Sequence, residues 1–149
     1  MPQNYTNPAH LERYSFLWSE LRLLFAAVAL FIGGVPVVWF VMPVGLFGLT
    51  RFLLTIAWII SGCASVYLLY RWYKNKQMIF GRKKPLEQVL FLIAAITGIN
   101  LGIAGLFGQN IGMTIFNSHG LFILMGLADI ATAWYLYARW KEAGEKLFS

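Results

Sequence analysis

The sequence predicts an all-α integral membrane protein: a bundle of four transmembrane helices. Three observations carry this. Hydrophobic residues make up 59% of the chain and charged residues only 12%, about half the roughly 25% of soluble domains. Four apolar stretches, 23–42, 52–70, 89–107 and 121–137, match the ~20 residues that cross a bilayer. The basic residues fall almost wholly on one side of those stretches. With no water in the bilayer core, each stretch must satisfy its own backbone and so must be helical. Mean hydropathy is +0.65. A collagen-like, disordered or disulfide-bonded chain is excluded by the apolar content, the missing Gly-X-Y period and the single cysteine.

The elements follow in order. Residues 1–22 form an N-terminal segment. Asn7 suits a helix N-cap and Pro8 the first helical position. Leu11, Tyr14, Trp18 and Leu21 then recur at three- and four-residue spacing. This predicts an amphipathic turn or two, lying on the membrane or running directly into the first span. That segment lacks a basic start, and no small-residue cleavage site follows residue 42, so the first span reads as retained and not as a secretory signal. Inside it stands Gly33-Gly34-Val35-Pro36. Proline removes an N–H and crowds the preceding turn, which predicts a kink at Gly33, Gly34 and Pro36 near mid-bilayer.

Spans two and three are joined by a basic loop that carries Arg71, Lys74, Lys76, Arg82, Lys83 and Lys84. These six are expected to set orientation and to touch anionic lipid headgroups. The third span contains Gly98-x-x-x-Gly102. Such spacing lets helix backbones approach closely, within the bundle or in a dimer. Residues 108–120 hold no Lys or Arg, and residues 138–149 form a C-terminal tail.

Eleven of the 12 Lys and Arg residues share one side; Arg51 alone faces the other. By the positive-inside rule both termini and the basic loop are cytoplasmic, and the expected location is the cytoplasmic (plasma) membrane. Tyr5, Tyr14, Tyr67, Tyr70, Tyr73, Tyr135 and Tyr137 lie on that side with Trp18, Trp72, Trp134 and Trp140. They read as an interfacial aromatic belt. At a shift of 68 residues (67 to 135), Tyr67-Leu68-x-x-Arg71-Trp72 meets Tyr135-Leu136-x-x-Arg139-Trp140, a candidate tandem repeat of two-helix units.

Asp129 lies about 12 Å below the outer end of the fourth span. It is the one carboxylate within the predicted spans. A charge at that depth costs several kcal/mol, so the acid needs a partner or stays protonated. Depth places Asn100 on span three and Ser61 on span two as candidate partners, which makes Asp129, Asn100 and Ser61 a candidate polar cluster near the midplane.

No span carries a lysine for a Schiff base, and the two histidines, His10 and His119, fall on opposite sides. No catalytic, cofactor-binding or metal-ligating set is expected. The basicity is a topology signal, so nucleic acid is not an expected partner. Membrane lipids are, together with a second copy of the chain or another membrane protein. The favoured expectation is a non-catalytic accessory, assembly or oligomeric scaffold component that packs through small-residue faces. The alternative is a small proton- or cation-coupled transporter that uses Asp129.

Overall fold

In a computed structural model, residues 7–115 and 118–148 are described. Residues 1–6 of the expected N-terminal segment, Tyr5 among them, lie outside the described residues. Asn7 accepts a hydrogen bond from the Ala9 N–H (3.1 Å), and Pro8 opens helix α1, Pro8–Phe31. The cap works because the first N–H groups of a helix have no partner within it. The first long helix therefore begins well before the apolar window 23–42 and takes in Glu12, Glu20 and Arg22.

The helix also stops earlier than that window. Gly33 and Gly34 have φ of +90° and +83°. The Gly33 N–H bonds the Leu30 carbonyl (3.1 Å) and the Gly34 N–H bonds that of Ala29 (2.7 Å). These are the two bonds of a Schellman cap, which needs a left-handed residue and hence favours glycine. Pro36 follows just beyond. The expected kink at Gly33, Gly34 and Pro36 is thus a helix end. The chain resumes as a short helix α2, Val38–Val41, and a single 3-10 turn, Val44–Leu46.

Three long helices complete the bundle. Helix α3 is Phe47–Lys74 and helix α4 is Pro85–Phe107, opened by Pro85 and closed at Gly108 with φ +71°. A short helix α5, Ile111–Ile115, precedes α6, His119–Glu142, whose N-cap Ser118 accepts from the Leu121 N–H (3.3 Å). Four segments, Pro8–Phe31, Val44–Lys74, Pro85–Phe107 and His119–Glu142, are long and apolar enough to cross a membrane. They fit a small membrane-embedded protein. No strand occurs among the described residues.

The bundle closes in chain order. α1 packs on α3 and α6, α4 packs on the same two, and α1 meets α4 across the middle. Its polarity is inverted relative to a soluble bundle. Large apolar side chains such as Ile56, Val66, Ile96, Leu124 and Trp134 point outward, while Ser61, Ser65, Thr132 and Asp129 are buried. Lipid tails are as apolar as leucine, so packing and hydrogen bonding must hold the helices. Glycines supply the packing. A Cβ on Gly102 would lie 2.7 Å from the Gly62 Cα, and one on Gly98 would collide with Ser65. The Gly98–Gly102 face is thus an intrachain α3–α4 contact. Gly126 does the same on α6, against Ala27 and Phe31 of α1.

The end of the bundle that holds Pro8 is sealed. Residues 75–84 and the tail after α6 fold back over it, placing Ile79 and Leu147 in the core. The Phe80 N–H bonds the Leu147 carbonyl (2.8 Å), and the Phe148 N–H bonds Glu12 Oε1 (3.0 Å). Two ion pairs flank the seal: Arg71–Glu12 at 2.9 Å and Arg139–Glu87 at 3.0 Å. The expected aromatic belt divides here. Tyr70, Tyr73 and Trp134 are exposed, but Trp140 is 1% exposed and packs on Phe16 with ring centroids 5.4 Å apart. A tryptophan can anchor at an interface only if its ring reaches the surface. Arg71 is likewise half-buried in its ion pair, whereas Lys74, Lys76, Arg82, Lys83 and Lys84 are exposed.

Candidate functional site

Between the four long helices lies a cavity of about 610 Å³. That is within the ~300–1,000 Å³ of small-molecule sites. It runs from Arg22 and Asp129, deep between α1 and α6, to the linkers at the far end of the bundle, where Gly34, Pro36, Gly108 and Met113 border it. Asp129 stands about 15 Å along α6 from His119, and Arg22 about 14 Å along α1 from Phe31, at 1.5 Å per residue. Both are therefore well inside the bundle, at matching depth.

The three residues of the expected polar cluster, Asp129, Asn100 and Ser61, all line this cavity. No hydrogen bond joins them among the described residues. Asn100 instead holds the turn after α4: its Nδ2 donates to Asn110 Oδ1 (2.7 Å) and its Oδ1 accepts from the Gly112 N–H (3.2 Å). Ser61 donates to the Ala57 carbonyl (2.8 Å) and accepts from Trp18 Nε1 (2.9 Å). Of the predicted kink, Gly34 and Pro36 border the cavity, and the side chain of Met113 covers Gly34.

The partner of Asp129 is a residue that the sequence reading places outside the membrane. Arg22 is 6% exposed and Asp129 3%, and both line the cavity. The Arg22 Nη2 donates to the Ala94 carbonyl (2.7 Å) and to Ser19 Oγ (3.0 Å), which fixes the guanidinium against α4. The close approach of Gly98 to Arg22 Nη2 makes room for it there. Glu20 is a second acid beside Arg22, also buried. The signal that could have found Arg22 is the run Ser19, Arg22, Ala26, Ala29, a small-residue face at three- and four-residue spacing that continues into the apolar window.

Arg22 and Asp129 are not in direct contact. No ion pair joins them among the described residues. Arg22 Nε and Nη1, both Glu20 carboxyl oxygens, Asp129 Oδ2 and Ser65 Oγ are buried without hydrogen-bond partners. Buried polar atoms in folded proteins are almost always bonded, and a charged group left bare is the costliest exception. These atoms are closed to water, so they lie in the packed wall behind the cavity and not on its surface. Among the described residues no cluster of three or more His, Cys, Asp or Glu could hold a metal ion.

No protein-family model, curated protein or solved structure matches the chain. What the site does must come from its own chemistry. It has Arg22 and Asp129 at its deep end, an apolar wall formed by Phe25, Leu30, Val38 and Phe122 above them, and an end facing the linkers.

Proposed function

We propose that the protein is a small, non-catalytic membrane carrier that takes up a solute in the central cavity. The single observation behind this reading is a cavity of about 610 Å³ among the four long helices whose wall includes both Asp129 and Arg22. A protein that serves only as a scaffold gains nothing from a cavity lined by two buried ionisable groups, each expensive to place there. The small-residue faces point the same way. Gly98, Gly102 and Gly126 are covered inside the chain. The ion-paired seal at one end and the α5 segment at the other are the two barriers that alternating access would open in turn.

Orientation in this proposal follows the charges. Apart from Arg22, which is inside, and Arg51, the remaining ten of the 12 basic residues gather at the sealed end. That end faces the cytoplasm, both termini with it, and the membrane is the cytoplasmic one. Lys74, Lys76, Arg82, Lys83 and Lys84 then touch anionic headgroups, each worth about 1 kcal/mol near the surface.

Cysteine accessibility tests the reading. With Cys63→Ala as background, Thr97→Cys places a thiol on the cavity wall and Ile96→Cys one on the exterior, where Ile96 is 63% exposed. A membrane-impermeant methanethiosulfonate should label Thr97→Cys in vesicles of either orientation and leave Ile96→Cys unlabelled. Labelling of Thr97→Cys from neither side, or from one side only, would overturn the carrier reading.

A further inference from the structure

The wall of the cavity narrows the solute, and this step rests on the carrier reading. We infer that the cavity takes a neutral, largely hydrocarbon molecule that enters sideways from the bilayer, between α1 and α3. The polar groups of the wall are mostly committed within the protein. Ser61 is bonded to Trp18 and Ala57, and Asn100 to Asn110 and Gly112. The Thr97 hydroxyl donates to the Ala94 carbonyl (3.2 Å) and to that of Ile93. Arg22 Nε and Nη1 and Asp129 Oδ2 are closed off behind the surface. What a solute meets instead is the hydrocarbon and indole of Phe25, Leu54, Trp58, Leu101 and Met125. A charged or strongly polar solute would give up its hydration there for few bonds in return. A hydrocarbon chain gives up none and gains dispersion contacts with the wall.

A second hollow marks the route. A groove of about 430 Å³ lies between α1 and α3, and its lining includes Tyr14, Leu17, Ile60 and Ala64 together with Trp18 and Leu21. Tyr14, Leu21 and Ile60 are exposed, so the groove opens on the outside of the bundle. Leu21 and Ile60 belong to segments that are long and apolar enough to cross a membrane, so lipid chains face the groove at their level. Trp18 and Leu21 also line the central cavity. These two side chains therefore stand between lipid and cavity. Trp18 is pinned by its bond to Ser61 (2.9 Å), which ties α1 to α3 at this point. Leu21 is an aliphatic chain that can turn aside without breaking a hydrogen bond. A molecule dissolved in the bilayer thus reaches the cavity without crossing water.

Photolabelling in phosphatidylcholine nanodiscs tests the inference. The probe is dodecanol carrying an aliphatic diazirine, and peptide mass spectrometry reads its insertion at each residue. Insertion at Thr97 and Met125 on the cavity wall should saturate, whereas at Leu124, which is 63% exposed, it should only rise with the probe content of the bilayer. Unlabelled dodecanol at ten times its Kd should cut the cavity insertion about tenfold, since occupancy scales as 1 + [L]/Kd. Leucine, a water-soluble zwitterion, should leave it unchanged. Leu21→Trp fills the passage, so Met125 should be labelled several-fold less while Ile60 in the groove is still labelled. Insertion at Thr97 and Met125 that never saturates, or competition by leucine equal to that by dodecanol, would overturn the inference. Unchanged insertion at Met125 in Leu21→Trp would overturn the route between α1 and α3. Methanethiosulfonate labelling of Thr97→Cys keeps this failure apart from that of the carrier reading. If the thiol is labelled from both sides but no insertion saturates, the hydrocarbon assignment falls and the carrier stands. If the thiol is never labelled, the carrier reading falls, whatever the photolabel shows.

Discussion

Removing Arg22 and Asp129 singly and together measures the coupling on which the site depends. The variants are Arg22→Met, Asp129→Leu and the double substitution. The size of the coupling can be bounded from the structure. Two unit charges interact by about 332/(εr) kcal/mol, and an effective ε of ~20 suits partly buried sites. No Arg22–Asp129 ion pair exists within the described residues, so the pair lies beyond contact, where the interaction at ~4 Å would be about 4 kcal/mol. At ~10 Å it would still be roughly 1.7 kcal/mol. A coupling energy of about 1–4 kcal/mol is therefore expected. Arg22→Met alone also loses the bonds to Ala94 and Ser19, and it leaves Asp129 without its counter-charge. The double variant should be more stable than the single-site losses add up to, because an apolar pair carries no desolvation cost. Unfolding by SDS in mixed micelles, followed by the fluorescence of the six tryptophans, gives the four free energies. Additivity within about 0.5 kcal/mol would mean the two groups do not share a field, and the composite site would have to be abandoned.

Two other outcomes follow from local geometry. In Gly102→Ala the new Cβ would sit 2.7 Å from the Gly62 Cα, ~1 Å inside ordinary carbon contact. α3 and α4 must part, at a cost of about 1–3 kcal/mol. Gly48→Ala, also helical but meeting nothing within 4 Å, should leave the melting temperature in detergent unchanged or raise it, since alanine favours the helix; equal melting of the two variants would contradict the α3–α4 contact. At the sealed end, the hydrogen bond from Lys141, helped by the charges of Arg13 and Lys141, holds the Glu145 carboxyl below its ordinary value of 4.5. A lowered carboxyl stabilises above its unfolded value and loses that contribution as pH falls through the folded one. Carboxyl carbon NMR should therefore place the Glu145 midpoint below 4.5, with the tail amides losing exchange protection as it titrates. A midpoint at or above 4.5 would show that the Arg13–Glu145–Lys141 contacts do not form in solution.

Four long helices were legible because an apolar window is a local property, and the lipid-facing majority of each helix writes it plainly. The start of α1 was not. Glu20 and Arg22 read as flanking charge, and only the helices packed around them turn them into interior groups; the α1 segment has the lowest hydropathy of the four, 1.4. Gly33, Gly34 and Pro36 announced a break, but glycine and proline mark kinks and helix ends alike. The hydrogen bonds to Leu30 and Ala29 decide between them. Asp129, Asn100 and Ser61 were found by depth alone, which places residues at one level but not in contact. Hence all three share the cavity, while Asn100 spends its amide on the turn after α4 and Ser61 on Trp18 and Ala57. The seal escaped notice because Ile79, Phe80, Leu147 and Phe148 sit in short segments among basic and turn residues. Their burial comes from residues distant in sequence: Phe80 bonds Leu147, and Phe148 reaches Glu12.

The carrier account stands on whether water and solute reach the Arg22–Asp129 end of the cavity from both faces of the membrane. The rate at which a charged methanethiosulfonate modifies Thr97→Cys, compared in right-side-out and inverted vesicles, measures this directly. The account predicts modification in both, far faster than at Ile96→Cys. Modification no faster than at Ile96→Cys would mean a closed interior, and would contradict it.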